Sequence, residues 1–77
     1  MRSTSDLIRT AVRVEIARKN STQAALAANL GKSSAWLSQR LSGDVGISLD
    51  DLDLIAGGLS LTTPDLLDRA RMEQAVA

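Results

Sequence analysis

The stretch TQAALAANLGKSSAWLSQRLSG, from Thr22 to Gly43, has the pattern of two short helices joined by a tight turn. Thr22 can cap the first helix, and Gly31 can end it. A serine two residues later offers a second cap, and apolar residues then recur at helical spacing up to Gly43. Because the connection is short and contains a glycine, we predict a helix-turn-helix with its helices over about 22–30 and 33–42.

The composition of the 77-residue chain favours a single all-helical domain. Trp36 is the only aromatic residue, and no alternation of β-branched residues extends over the length of a strand. A chain of this size buries about 60% of its unfolded surface, which is enough for one small core. The absence of cysteine and histidine excludes disulfides, thiolate chemistry and the usual zinc clusters, so we expect neither a metal nor a cofactor.

Nothing in the sequence has the pattern of a membrane or export segment. The longest apolar run is far shorter than a membrane span, and the N-terminus lacks the apolar core of a signal peptide. The absence of cysteine is compatible with a reducing compartment. We therefore expect a soluble, cytoplasmic domain with no membrane partner.

Charge is unevenly distributed along the chain, although the formal net charge is zero. Residues 1–43 hold seven Lys and Arg against two acidic residues, a net charge of +5, whereas residues 44–77 hold two Arg against seven acidic residues, a net charge of −5. The basic half contains the predicted helix-turn-helix, which favours a polyanionic partner on that side. The alternative is ordinary surface charge that happens to segregate.

A first helix is predicted before the central pair. It follows a flexible arm of residues 1–4, is capped by Ser5 and ends near Arg18. Arg9 and Arg13 are four residues apart and lie together on one side of this helix. They either meet a DNA backbone or are solvated, and we favour solvation.

A fourth helix is predicted after the central pair. Ser48 can cap it, and Asp51 three residues later completes a capping-box pattern. Leu49 begins its apolar series, which we expect to face the core. Gly57 and Gly58 in its last turn indicate an end that is either loosely held or closely packed.

A fifth helix is predicted to have Pro64 at its first position, where proline loses no hydrogen bond. Arg69 and Glu73 are one turn apart and can pair on its exposed side. Neither a repeat nor a linker composition indicates a second domain, so we treat residues 1–77 as one unit.

An ordered set of signals extends over most of the chain: Thr22-Gln23, Leu26-Ala27, Gly31, Ser33, Leu37, Gly43, Leu49, Leu52, Ile55-Ala56, Leu59 and Pro64-Asp65-Leu66-Leu67. In order and spacing, this set resembles the Cro/repressor-type (Xre-like) helix-turn-helix family of phage and bacterial transcription regulators. The resemblance implies a compact, lambda-repressor-like domain of five helices. Helix 3 would enter the major groove, and helix 2 would cross the DNA backbone above it.

The resemblance also implies which residues meet DNA. The base-facing positions of helix 3 are Ser34, Ala35, Ser38 and Gln39. The expected backbone contacts are Thr22, Gln23, Lys32, Ser33, Ser42 and Gly43, to which we add Arg13 of the first helix. Gln39 can pair with adenine and Ala35 can touch a thymine methyl, whereas Ser33 and Ser34 can alternatively serve as caps or plain surface. Because these side chains are short, we expect modest specificity per half-site, with DNA shape or water sharing the recognition.

The chain departs from the family pattern in three respects. Many members have an arginine and a glutamate that form a buried ion pair where this chain has Ile16 and Leu41, and we predict that these two side chains touch. Arg40 replaces an aliphatic residue one turn from Trp36, so its guanidinium can stack on the indole at the core edge; Trp36 on the DNA backbone is the alternative. Ser60 replaces a glycine and leaves the cap of helix 4 open. The expected core support of the site comes from Ile16, Leu26, Leu37, Leu41, Leu52 and Ile55.

The leading hypothesis is therefore a sequence-specific transcription regulator, of the phage Cro or immunity-repressor type. It would occupy an operator of double-stranded DNA in the nucleoid of a prokaryotic or phage-infected cell, as a homodimer on an inverted repeat. The alternative is a protein-interaction module, antitoxin-like or adaptor, whose acidic helices 4 and 5 bind a basic partner. We expect no enzymatic activity, because the carboxylates have the pattern of helix caps and solvated faces.

Overall fold

Five α-helices account for most of the chain in a computed structural model, which describes residues 2–76 and the side chains of residues 2–73. They are α1 (Thr4–Arg18), α2 (Gln23–Asn29), α3 (Ser34–Ser42), α4 (Leu49–Gly58) and α5 (Thr63–Val76). The described residues form no strand, and the predicted all-α, five-helix fold is confirmed. The bounds of α2 and α3 are confirmed to within one residue, because Thr22 and Ser33 cap these helices rather than begin them. None of the described helices combines the length and apolar character needed to cross a membrane.

Each of the five helices has a hydroxyl side chain at its N-terminus. This side chain accepts a hydrogen bond of 3.0–3.2 Å from the backbone N–H three residues later, and the five caps are Ser3, Thr22, Ser33, Ser48 and Thr62. At Ser48 and Thr62, an aspartate completes a capping box by accepting from the N–H of the cap residue. The capping box predicted at Ser48 is confirmed, and the one at Thr62 is an addition.

The start of α1 differs from its prediction. Ser3 caps the helix instead of Ser5, so α1 begins at Thr4, inside the predicted arm of residues 1–4. The first residue of that arm lies outside the described residues. Ser3 brings Asp6 to the third helical position, where the N–H of Asp6 donates to the cap hydroxyl and its carboxylate lies near the positive end of the helix.

An aspartate occupies the third helical position of α1, α4 and α5. Hydrogen bonds with the cap residue lower the pKa of Asp6 and of Asp65 from the ordinary aspartate value. Burial on its own would raise the pKa of Asp51, but hydrogen bonds from Arg40 and from the cap residue hold that pKa below its ordinary value. The ionised carboxylates thus stabilise the positive ends of three helices.

Two predictions for α5 are wrong, the position of Pro64 and the partner of Arg69. α5 is capped by Thr62, so Pro64 takes the second helical position, where it also loses no intrahelical hydrogen bond. α1 and α5 make the most extensive helix–helix contact of the described chain. Within it, Arg69 Nη1 lies 3.4 Å from Oε1 of the buried Glu15, so Arg69 faces α1 rather than Glu73.

Four helices end at a residue in the left-handed backbone conformation: Asn20 (φ 52°), Gly31 (φ 71°), Gly43 (φ 92°) and Ser60 (φ 60°). At Asn20, Gly31 and Ser60, this residue and the next donate their N–H groups to carbonyls of the last helical turn, in the Schellman arrangement. Ser60 therefore adopts the geometry that a glycine would provide, at a conformational cost that glycine does not have.

One apolar core lies between the helices, and all the predicted supporting residues belong to it: Ile16, Leu26, Leu37, Leu41, Leu52 and Ile55. Ile16 and Leu41 are 6% and 2% exposed, so apolar packing occupies the two positions compared above with an ion pair. The prediction for Leu49 is wrong, because its side chain is 80% exposed. Leu49 is the first residue of α4 and lies one turn before Leu52, where α4 reaches the core.

The two glycines at the end of α4 have different surroundings. A Cβ built on Gly58 would overlap Cδ2 of Leu30 and would lie 2.9 Å from Cδ1 of Leu26, whereas a Cβ on Gly57 would meet no atom within 4 Å. Asn29 Nδ2 also donates to the carbonyl of Gly58 at 3.3 Å. The end of α4 is therefore closely packed against α2, and Gly58 is the residue that permits this approach.

Candidate nucleic-acid interface

The helix α3 has one buried and one exposed side. Leu37 and Leu41 are completely or almost completely buried in the core. The four residues predicted to face DNA bases are all exposed, and they are Ser34, Ala35, Ser38 and Gln39. With 3.6 residues per turn, these four lie within about 140° of arc, on the side away from Leu37. The structure brings them together on one surface, which we call the reading face.

The turn of residues 30–33 fixes α2 relative to α3. Gly31 adopts the left-handed conformation, and the N–H of Lys32 donates to the carbonyl of Ala27 at 2.9 Å. Lys32 is exposed at this turn, and its Nζ lies 5.4 Å from the centroid of the Trp36 ring. The ammonium group therefore lies beside the N-terminal end of the reading face, with an aromatic face as its neighbour.

The other predicted backbone contacts of the helix pair are also exposed: Thr22, Gln23, Ser33, Ser42 and Gly43. The hydroxyls of Thr22 and Ser33 accept capping bonds, as the alternative role of Ser33 anticipated, and each retains a hydrogen to donate. Ser42 Oγ donates to the carbonyl of Gln39 at 3.0 Å and accepts from the N–H of Asp44 at 3.3 Å. The hydroxyls of Ser33 and Ser42 are thus held against the backbone at the two ends of α3, and that of Thr22 at the start of α2.

Trp36 and Arg40 form a stack at the edge of the core. The Cζ atom of Arg40 lies 4.1 Å from the centroid of the Trp36 ring, which confirms the predicted stacking. Trp36 packs against the core, as the preferred alternative required. Arg40 Nε also donates to Asp51 Oδ2 at 3.0 Å. Asp51 therefore has two roles, as capping residue of α4 and as the ionic partner of α3, and the sequence pattern indicated only the first.

Two arginines of α1 contact the last turn of α3. Arg9 Nε donates to the carbonyl of Arg40 at 2.7 Å, and Arg13 Nη2 donates to the carbonyl of Leu41 at 2.5 Å. The Arg9 side chain is only 12% exposed, so the solvation that we favoured for it is wrong. The four-residue spacing predicted that these arginines lie on one side of α1. It could not indicate that they would contact the backbone of α3. The DNA contact of Arg13 stays a prediction.

The electrostatics of the helix pair differ from those of the other helices. The first turns of α2 and α3 contain no acidic residue, whereas α1, α4 and α5 each have at least one. The partial positive charge at the N-termini of α2 and α3 is therefore not offset by a carboxylate of the helix's own first turn. Arg9 and Arg40 are paired with Asp6 and Asp51, at 3.1 and 3.0 Å, so less of the basic half's charge is available to a ligand than the sequence count indicates.

Comparison with known proteins identifies a shared fold. A crystal structure of the clp gene regulator ClgR from C. glutamicum matches this chain with a TM-score of 0.84 and 23% sequence identity, over 100% of both chains. No protein-family model matches the chain, and a search of curated proteins finds no match. The likeness to the ClgR structure confirms the all-helical architecture over the whole length of the chain.

Proposed function

We propose that this protein is a transcription regulator that binds double-stranded DNA and reads its sequence with α3. The observation that carries the proposal is the reading face: four exposed residues without a bulky side chain lie on a short helix whose other side is buried. A short helix that follows another helix and a tight turn, and that exposes one side, fits the major groove of B-DNA. The shared fold with a gene regulator supports this choice.

The chemistry of the reading face suits base edges. Gln39 offers a carboxamide that can bond both N6 and N7 of adenine, and Ala35 offers a methyl group for contact with thymine. Ser34 and Ser38 can donate to or accept from either base of a pair. Since Ser34, Ala35 and Ser38 have short side chains, discrimination at each half-site depends on close approach of α3 to the groove.

The backbone contacts would come from the ends of the two helices. Lys32 is the nearest exposed cation to the N-terminus of α3, and Gln23 opens α2. The N-terminal N–H groups of both helices are suited to phosphate oxygens. We further propose that the protein acts as a phage Cro or immunity-repressor type of regulator. In this role it would bind as a dimer on an inverted repeat in the cytoplasm of a prokaryotic or phage-infected cell.

Selection of bound duplexes from a random pool, with the full chain, tests the proposal. We expect a selected sequence with two inverted half-sites at a fixed spacing. Q39A should relax the preference at one base pair, whereas K32A should weaken binding to all sequences alike. Salt-independent binding, or no enrichment of any sequence, would contradict the proposal and favour the protein-interaction alternative. Identical effects of the two substitutions would place a different element in the groove.

A further inference from the structure

The C-terminal end of α3 is held by side chains from two other helices. The last carbonyl groups of an α-helix have no intrahelical partner, and cations are favourable beside them. Arg9 and Arg13 of α1 donate to two of these carbonyls, those of Arg40 and Leu41. From the other side, Asp51 of α4 accepts from the Arg40 side chain. The end of the reading helix is therefore fixed relative to α1 and α4.

Arg9 is the most constrained member of this arrangement. Its Nη1 lies 3.1 Å from Asp6 Oδ1, while its Nε reaches the carbonyl of Arg40 at 2.7 Å. Asp6 is itself held at the capped start of α1 through its hydrogen bond to Ser3. A Cβ on Gly43 would lie 3.7 Å from the Cζ of Arg9, so the guanidinium packs against the residue that ends α3. Arg9 thus links the start of α1 to the end of α3.

The short side chains of the reading face make the position of α3 unusually important. A long side chain can compensate for a small displacement of its helix by changing rotamer. Ala35, Ser34 and Ser38 have at most one heavy atom beyond Cβ, so their distance from a base edge is set by the backbone. Whatever fixes the backbone of α3 therefore also fixes the alignment of these contacts.

Building on the proposed function, we infer that Arg9 is a positioning residue for sequence recognition. Asp6 pairs with its Nη1, and its Nε donates to the α3 backbone, so Arg9 aligns the reading face and does not contact a phosphate. Loss of Arg9 then lowers discrimination between sequences, while the number of phosphate contacts stays the same. If Arg9 instead contacted a phosphate, its loss would reduce the salt dependence of binding, because each neutralised phosphate contributes about 0.9 to the slope of log K against log salt.

The test compares R9Q with two charge-matched variants, K32Q and R71Q. The probes are a duplex selected by the wild-type chain and a scrambled duplex of the same length and composition. Affinities for both are measured at several salt concentrations, at a temperature where circular dichroism shows each variant to be folded. R71Q changes the same charge on α5, where Arg71 is 79% exposed and pairs with Asp68 of the same helix.

We expect R9Q to lower the ratio of selected to scrambled affinity about tenfold, comparable to the loss of one well-aligned base contact, with an unchanged salt slope. R71Q should change neither quantity. A salt slope that decreases by about 1 in R9Q would overturn the inference, whatever happens to the affinity ratio. An unchanged affinity ratio would also overturn it. If R9Q does not fold, R9K tests the alignment through the affinity ratio. Lysine keeps the charge but has one nitrogen in place of the two that bond Asp6 and the Arg40 carbonyl, so the ratio should fall. An unchanged ratio for R9K would overturn the inference, because a phosphate contact would survive this substitution.

The outcomes separate this inference from the proposed function. If the wild-type chain selects no sequence, the proposed function fails before Arg9 is examined. If it does select one, and K32Q lowers the slope while R9Q leaves the ratio unchanged, the proposed function stands and the role of Arg9 is wrong.

Discussion

Ser60 has a positive φ of 60°, where the Cβ of an L-residue crowds the backbone. Glycine avoids this crowding but loses more freedom on folding, so we expect S60G to raise the free energy of unfolding by about 0.5–1 kcal/mol. Urea denaturation followed by circular dichroism measures the change. N20G is the matched comparison at φ 52°. It should raise the free energy of unfolding by less than S60G does, because asparagine tolerates this conformation. A gain from N20G that equals or exceeds that of S60G would contradict the explanation.

Single residues differ in how far their roles could be predicted from sequence. Ser48 with Asp51, and the stacking of Arg40 on Trp36, depend on partners three or four positions away, and both are confirmed. The contact of Arg9 with the Arg40 carbonyl joins residues far apart in the chain, and a long flexible side chain leaves no local pattern for such a contact. Glu15 did leave a signal, which the prediction overlooked. It lies four residues after Ala11, on the apolar stripe of α1.

At the scale of elements, helix bounds and the reading face were predictable because they follow from caps, glycines and 3.6-residue periodicity. The start of α1 was not, since Ser3 and Ser5 are both good caps and only the contacts of Asp6 distinguish them. The packing of α4 on α2 was not predictable either. A pair of glycines in a last turn indicates either looseness or close approach, and only the position of Leu26 and Leu30 decides between them.

The Gly57 and Gly58 pair gives a direct test of this packing. G57A should raise the free energy of unfolding by about 1 kcal/mol, since alanine is the better helix former and Gly57 faces open space. G58A gains the same propensity but must displace Leu26 and Leu30, at a cost of about 1–3 kcal/mol. G58A should therefore have a lower free energy of unfolding than G57A, and chemical denaturation of both variants measures the difference. Equal stabilities would mean that α4 can move away from α2 without loss.

At the scale of the whole molecule, Glu15 and Arg69 join the first helix to the last. The Glu15 side chain is 8% exposed, and it also lies 3.7 Å from Arg18. Removal of Arg69 leaves this buried carboxylate with Arg18, whose side chain is 62% exposed, as its remaining cation. A fully buried pair would cost about 3–5 kcal/mol when broken, but Arg69 is 36% exposed and Arg18 remains, so we expect R69A to cost about 1–2 kcal/mol.

R71A is the control for this measurement. Arg71 pairs with Asp68 at 2.6 Å on the same helix, with both side chains largely exposed, and its loss should change stability by less than about 0.5 kcal/mol. Thermal melts of R69A and R71A in the same buffer compare the two. If R69A were no less stable than R71A, the α1–α5 contact would rest on apolar packing alone.

The position of Trp36 makes its intrinsic fluorescence sensitive to both folding and ligand binding. With no tyrosine or phenylalanine in the chain, all ultraviolet emission comes from this one indole. The guanidinium of Arg40 and the ammonium of Lys32 both lie over its ring, and Arg40 connects it to α4 through Asp51. Loss of the α3–α4 contact, or movement of Lys32 toward a phosphate, would change the surroundings of the same fluorophore. Unfolding and ligand binding are therefore both accessible to measurement without a label.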